Sequence, residues 1–145
     1  MSDKDKAAVR RIPLEVFNEG RLEVIDQVVD EGYVEHVPLP PGLPAGRAGL
    51  KAFVSGIRSA FPDFKYTVMH ELGEGDLVVQ HLTASGTMRG DFAGMPASGK
   101  HAAWNEVHIA RVANGVLAEH WAVIDQLGML QQLGFVPMPD GAPAG

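Results

Sequence analysis

Hydrophobic periodicity changes once along this chain, and that single change restricts the folds open to it. Before residue 65 the apolar residues recur at helical spacing. Ala8, Ile12, Val16 and Phe17 form one set, Leu22, Ile25, Val28 and Val29 a second after a break at residues 18–20, and Leu50, Phe53, Val54 and Ile57 a third. From Lys65 onward apolar and polar residues alternate with the period of two that belongs to strands. The spacing predicts a helix over 47–60, stopped by Phe61-Pro62-Asp63, and a last helix over 126–133 that ends at Gly134. It predicts long strands over 65–72, 76–88, 100–112 and 116–124, and a short one over 33–37 closed by the proline-rich stretch 38–44. Pro13 interrupts the first helical set. A proline deletes a backbone bond, so a kink near Arg10 or a helix beginning at Pro13 is expected.

Helices followed by a meander of strands give an α+β fold. Gly73-Glu74-Gly75-Asp76 and Asn114-Gly115 are tight hairpin signals, which predict antiparallel pairing. The expected architecture is a set of helices packed on a strongly curved antiparallel sheet, forming a cone with an internal pocket. One domain is expected over residues 1–136, followed by a flexible tail over 137–145 rich in Pro, Gly and Ala.

Composition narrows the function. The chain has 12 Lys and Arg against 18 Asp and Glu, a formal net charge of −6 with the signs interspersed, and no basic stripe; nucleic acid is not an expected partner. The absence of cysteine excludes thiolate nucleophiles, thiolate metal sites and disulfides. No close histidine spacing such as HxxxH is present, and no metal is expected. The charged start MSDKDKAAVRR leads into no apolar run, and no segment has the length to span a bilayer. A cytoplasmic protein with no membrane partner is expected.

Alternation assigns side chains to faces. Trp104, Glu106 and His108 share one face of their strand, and Leu117, Glu119, Trp121, Val123 and Asp125 share one face of the next. If both tryptophans point inward, then Glu106, His108 and Asp125 meet on the concave surface as candidate acid/base residues. The alternatives are a structural Glu106–His108 pair, and Asp125 as the N-cap of the helix over 126–133. Tyr33, His36 and His81 are further candidates to line the pocket, while His70, His101 and His120 read as structural or surface residues.

These residues resemble a known family. Phe61-Pro62-Asp63, Gly90-Asp91-Phe92-Ala93-Gly94-Met95-Pro96 with Gly99-Lys100, Asn114 through Trp121, Ile124-Asp125-Gln126-Leu127-Gly128 and Gln132-Leu133-Gly134 are similar to the SnoaL-like ester cyclases of the nuclear-transport-factor-2-like (NTF2-like) superfold, over about residues 5–135. The resemblance implies a cofactor-free intramolecular aldol ring closure on a small hydrophobic carbonyl or polyketide-like substrate. It implies Asp125 as general acid/base, with Glu106 and His108 assisting. Trp104, Trp121, Phe53 and Phe92 would lie against a flat substrate. Two positions depart from the family pattern: Glu106, where an amide is common, and Pro13, near which an aromatic is frequent. The same cone could instead serve a ketosteroid-type isomerase or an epoxide hydrolase, the latter needing an arginine beside Asp125. A non-catalytic binding domain would be favoured by a filled cavity, or by an Asp125 bonded only to the backbone of its own helix. The outer sheet face is expected to pair with another copy, giving a homodimer or larger homo-oligomer.

Overall fold

A computed structural model describes residues 3–139. Residues 140–145, most of the predicted tail, lie outside them. Four α-helices pack with a five-stranded sheet: α1 (Asp3–Arg11), α2 (Ile25–Val28), β1 (Val29–Glu35), α3 (Gly46–Ala60), β2 (Lys65–Glu74), β3 (Leu77–Thr87), β4 (His101–Ala113), β5 (Val116–Ile124) and α4 (Gln126–Leu133). Each predicted strand is present, with β1 beginning earlier than its predicted start. At Pro13 the helix neither stops nor restarts. α1 passes into a π-helical stretch, Ile12–Phe17, whose wider hydrogen-bond register accommodates the missing N–H, and Pro13 itself is buried.

The strand order is β1-β5-β4-β3-β2. The pairs β2–β3, β3–β4 and β4–β5 are antiparallel, as the hairpin signals predict. Asn114 and Gly115 both take positive φ, 53° and 80°, the geometry a two-residue hairpin turn requires. The expectation of a wholly antiparallel sheet is corrected at one edge. β1 runs parallel to β5, so the sheet is mixed. The cause is topological: the helical stretch α3 follows β1, and the chain returns to the far edge of the sheet before reaching β5.

The core lies between the helices and one sheet face. Val16, Val24, Ile25, Val54, Val78, Leu82, Met88 and Leu133 are fully buried there. Tyr66 packs edge to face against Phe17 and Phe64, with ring centroids 5.1 and 4.8 Å apart, and Phe17 and Phe64 meet at a tilt, 6.1 Å apart. Such pairs contribute about 0.5–1.5 kcal/mol each beyond the area they bury. Among the described residues, no helix is long and apolar enough to cross a membrane.

Candidate active site

One irregularity in β5 determines which side chains reach the cavity. Leu117 pairs with Val112 and Glu119 pairs with Arg111, so Ala118 is an extra residue on β5 and the register shifts by one. A one-residue shift exchanges the two faces of everything that follows. Leu117, His120, Ala122 and Ile124 therefore line the cavity, and Glu119, Trp121 and Val123 take the opposite face. Strict alternation placed the second set inside, and that placement is corrected here.

The cavity has a volume of about 510 Å³. Phe53, Phe92, Tyr33 and Trp104, all expected at the pocket, line it. Pro13 lines it as well, at the place where the resemblance implies an aromatic. Glu106 and His108 are also in the wall, on alternate positions of β4. The two form the pair that the sequence left as one alternative, 2.7 Å apart. Trp121, His36, His81 and Asp125 are not in the wall. Trp121 stacks on His36 with centroids 4.8 Å apart, and His36 Nε2 lies 2.6 Å from Glu119. His81 belongs to the opposite face of β3 from Val78, Gln80 and Leu82; it stacks on His70 and meets Asn105 at 2.9 Å.

Asp125 is exposed and caps α4, its Oδ1 accepting the Gly128 N–H at 3.0 Å. A Cβ at position 128 would collide with the Asp125 carboxylate, so the glycine there is part of the cap. The capping alternative thus describes its placement, and the concave-face placement does not hold.

Glu106 is the most constrained group in the wall. It is 4% exposed and accepts hydrogen bonds from Tyr66 Oη at 2.8 Å, Trp104 Nε1 at 2.7 Å and His108 Nε2 at 2.7 Å. Burial pushes its carboxyl up. The hydrogen bond and charge of His108, with the bonds from Tyr66 and Trp104, outweigh burial and hold it below the ordinary carboxylate range. The same burial and the neighbouring Glu106 carboxylate push the Tyr66 phenol well up, so Tyr66 stays a donor.

The polar strip continues across the sheet. His108 Nδ1 lies 2.8 Å from His120 Nε2, and His120 Nδ1 lies 2.5 Å from Glu35 Oε2. Glu35 is held further by the Val37 N–H, 3.3 Å away. Sequence reasoning missed Glu35, His120, Tyr66 and Gln80, all of which line the cavity. Glu35 was readable from Tyr33, two residues earlier on the same strand face, and Gln80 from its alternation with Val78 and Leu82. Nothing in the residues around Ala118 marks the bulge that turns His120 inward.

No lysine or arginine is among the residues lining the cavity. Arg111 binds Glu119 at 3.0 Å on the outer face. Among the described residues no cluster of three metal-ligating side chains occurs, and no buried side-chain nitrogen or oxygen lacks a hydrogen-bond partner.

This fold has recognised relatives. The sequence model of the SnoaL-like polyketide cyclase family matches residues 7–133. The chain belongs to that family. It is 28% identical over 125 residues to nogalonic acid methyl ester cyclase of Streptomyces nogalater, covering 86% of this chain and 92% of that protein. It is 29% identical over 142 residues to aklanonic acid methyl ester cyclase DauD of Streptomyces sp. (strain C5), covering 92% and 84%. Among solved structures, TsrD from Streptomyces laurentii superposes with a TM-score of 0.84 at 26% identity, covering 94% of this chain and 99% of that one. IdmH from Streptomyces antibioticus superposes with a TM-score of 0.76 at 31% identity, covering 90% and 98%. The NTF2-like fold expected of this SnoaL-like cyclase is the fold it has.

Proposed function

We propose that this SnoaL-like cyclase closes a ring by cofactor-free intramolecular aldol chemistry on a neutral, largely apolar β-keto ester of polyketide type. The observation that carries this reading is the pairing of an apolar cavity of about 510 Å³ with one acid/base strip, Glu106–His108–His120–Glu35, and no lysine or arginine in its wall. A carbon flanked by two carbonyls is already acidic, so a positioned side chain can remove its proton. Most of the rate would come from folding a flexible chain into reactive geometry inside a water-poor cavity. The acid/base work is assigned to the strip and not to Asp125, which is exposed and is not among the residues lining the cavity.

The charge of the wall sets the expected selectivity. With two carboxylates and no fixed cation, a substrate bearing a free carboxylate would be repelled and left unpaired, whereas its methyl ester would not. The names of the two curated relatives describe methyl ester substrates. The test is ring closure on a panel of polyketide β-keto methyl esters and the matching free acids, followed by chromatography with mass detection. Turnover of an ester with at least about tenfold discrimination against its acid is expected. Equal turnover of both would contradict the selectivity, and no turnover of any ester would contradict the cyclase reading.

One observation favours a second reading, a non-catalytic binding domain. Asp125 makes its side-chain bond only to the backbone of its own helix. The open cavity and its hydrogen-bonded strip weigh against it. The protein is also proposed to be cytoplasmic, and to be a homo-oligomer because the sheet edge and outer face expose Met69, Leu72 and Val123. A clean monomer by light scattering at micromolar concentration would contradict the oligomer.

A further inference from the structure

The spacing of the polar strip fixes how many protons it holds. Three gaps separate its four groups: Glu106 Oε1 to His108 Nε2 at 2.7 Å, His108 Nδ1 to His120 Nε2 at 2.8 Å, and His120 Nδ1 to Glu35 Oε2 at 2.5 Å. Each gap is a hydrogen bond and needs one proton, because two facing lone pairs or two facing N–H groups repel at that distance. A neutral imidazole brings one ring proton and an ionised carboxylate brings none. Two neutral histidines fill two gaps, and the third requires a proton more. The count does not depend on which atom holds which proton. With two carboxylates and one added proton, the chain carries a net charge of −1. An imidazolium between two carboxylates also reduces the penalty of placing two unpaired anions in an apolar wall.

The two ends differ. Glu106 is closed in, since Tyr66 and Trp104 donate to it beside His108, three bonds on about four acceptor positions, and almost none of it is exposed. Glu35 is open: its Oε1 receives only the Tyr33 hydroxyl, at 3.4 Å, and the residue lines the cavity. The remaining groups facing the chain are uncharged, with Gln80 opposite His108 on β3 and Tyr66 on β2.

We propose that Glu106, His108, His120 and Glu35 form one chain holding three protons at neutral pH, and that Glu35 Oε1 is where it exchanges a proton with the bound compound. The second half rests on the proposed carbonyl chemistry; the first does not. In the step assigned to Glu35, its carboxylate takes the proton from the activated carbon, and the C–H electron pair becomes the enolate. The enolate carbon bonds to the receiving carbonyl carbon, whose π pair becomes an alkoxide. The alkoxide then takes the proton back from Glu35, and the chain regains its starting charge.

Two measurements on the full-length protein test this. The first is long-range proton–nitrogen NMR of histidine-labelled protein at pH 7, with resonances assigned through His108→Gln and His120→Gln. Imidazole nitrogen is the stronger base by about two pKa units in water, so protons on three of the four ring nitrogens are expected. Glu35→Gln, which removes one flanking anion, is expected to lower the count to two. Two neutral rings together with two ionised carboxylates, read from the carbon-13 shifts of the Glu35 and Glu106 carboxyl groups, would overturn the three-proton chain and leave the ring-closure result untouched. The second measurement follows deuterium exchange at the activated carbon of a simple neutral 2-alkyl β-keto ester in D₂O. Glu35→Gln is expected to slow catalysed exchange about 10²-fold or more, with partial retention in Glu35→Asp. Exchange at the wild-type rate in Glu35→Gln would overturn the role of Glu35. No catalysed exchange by the wild type would overturn that role and the carbonyl chemistry together, while the NMR count still decides the chain.

Discussion

Replacing Glu106 with alanine is expected to destabilise the fold by about 3–5 kcal/mol, the usual cost of breaking a buried charged network from one side. The substitution removes one acceptor and strands three donors: the Tyr66 hydroxyl, the Trp104 indole N–H and His108 Nε2. The Tyr66 and Trp104 donors have no water-exposed alternative of equal quality, since the two residues are 6% and 5% exposed. Urea unfolding of the two proteins at pH 7 measures the difference. A loss below about 1 kcal/mol, the cost of an ordinary surface change, would contradict the network as drawn.

The same carboxylate gives the stability a pH dependence of known sign. Its pKa in the folded protein lies below the ordinary value, so the unfolded chain binds the proton more readily. The contribution is therefore fully present above the ordinary carboxylate range. It is lost as pH falls through that range toward the lower folded-state value. In Glu106→Ala this part of the acid sensitivity is expected to disappear.

His108→Asn is the second large effect. Asparagine keeps a polar group in the wall but cannot relay a proton, and it interrupts the strip between Glu106 and His120. If the strip performs the acid/base step, kcat is expected to fall about 10²–10⁴-fold, the range typical for removing a positioned acid/base group. KM should change far less, because the apolar walls formed by Phe53, Phe92 and Trp104 remain. A KM rise with unchanged kcat would instead make His108 a binding residue only.

Much of the fold is legible in the sequence because period is a local property. The change at Lys65, the Asn114-Gly115 turn and the αL stop at Gly134 each depend on a few adjacent residues, and the elements follow from them. The parallel pairing of β1 with β5 depends on where a distant edge strand docks, which no local pattern specifies. The site divides the same way. Trp104, Glu106 and His108 lie on a regular strand, so alternation places them in the wall. On β5 alternation fails at Ala118, because one unpaired residue turns His120 inward and Trp121 outward. Alanine fits a regular strand and a bulge equally well, so the sequence carries no mark of the shift. Asp125 was then read at the wrong parity, and its capping bond to Gly128 is the local geometry that the helix start also required.

The measurement that bears most directly on the central claim, that proton chemistry belongs to the inner strip and not to the exposed end of β5, is kcat/KM for Asp125→Asn on a methyl ester that the wild type cyclises. Its side chain is not among those lining the cavity and caps α4, and asparagine caps a helix about as well, so activity within about threefold of wild type is predicted, with a stability change below about 1 kcal/mol. A loss of about 10²-fold or more in a folded Asp125→Asn protein would contradict the account and return the acid/base role to Asp125.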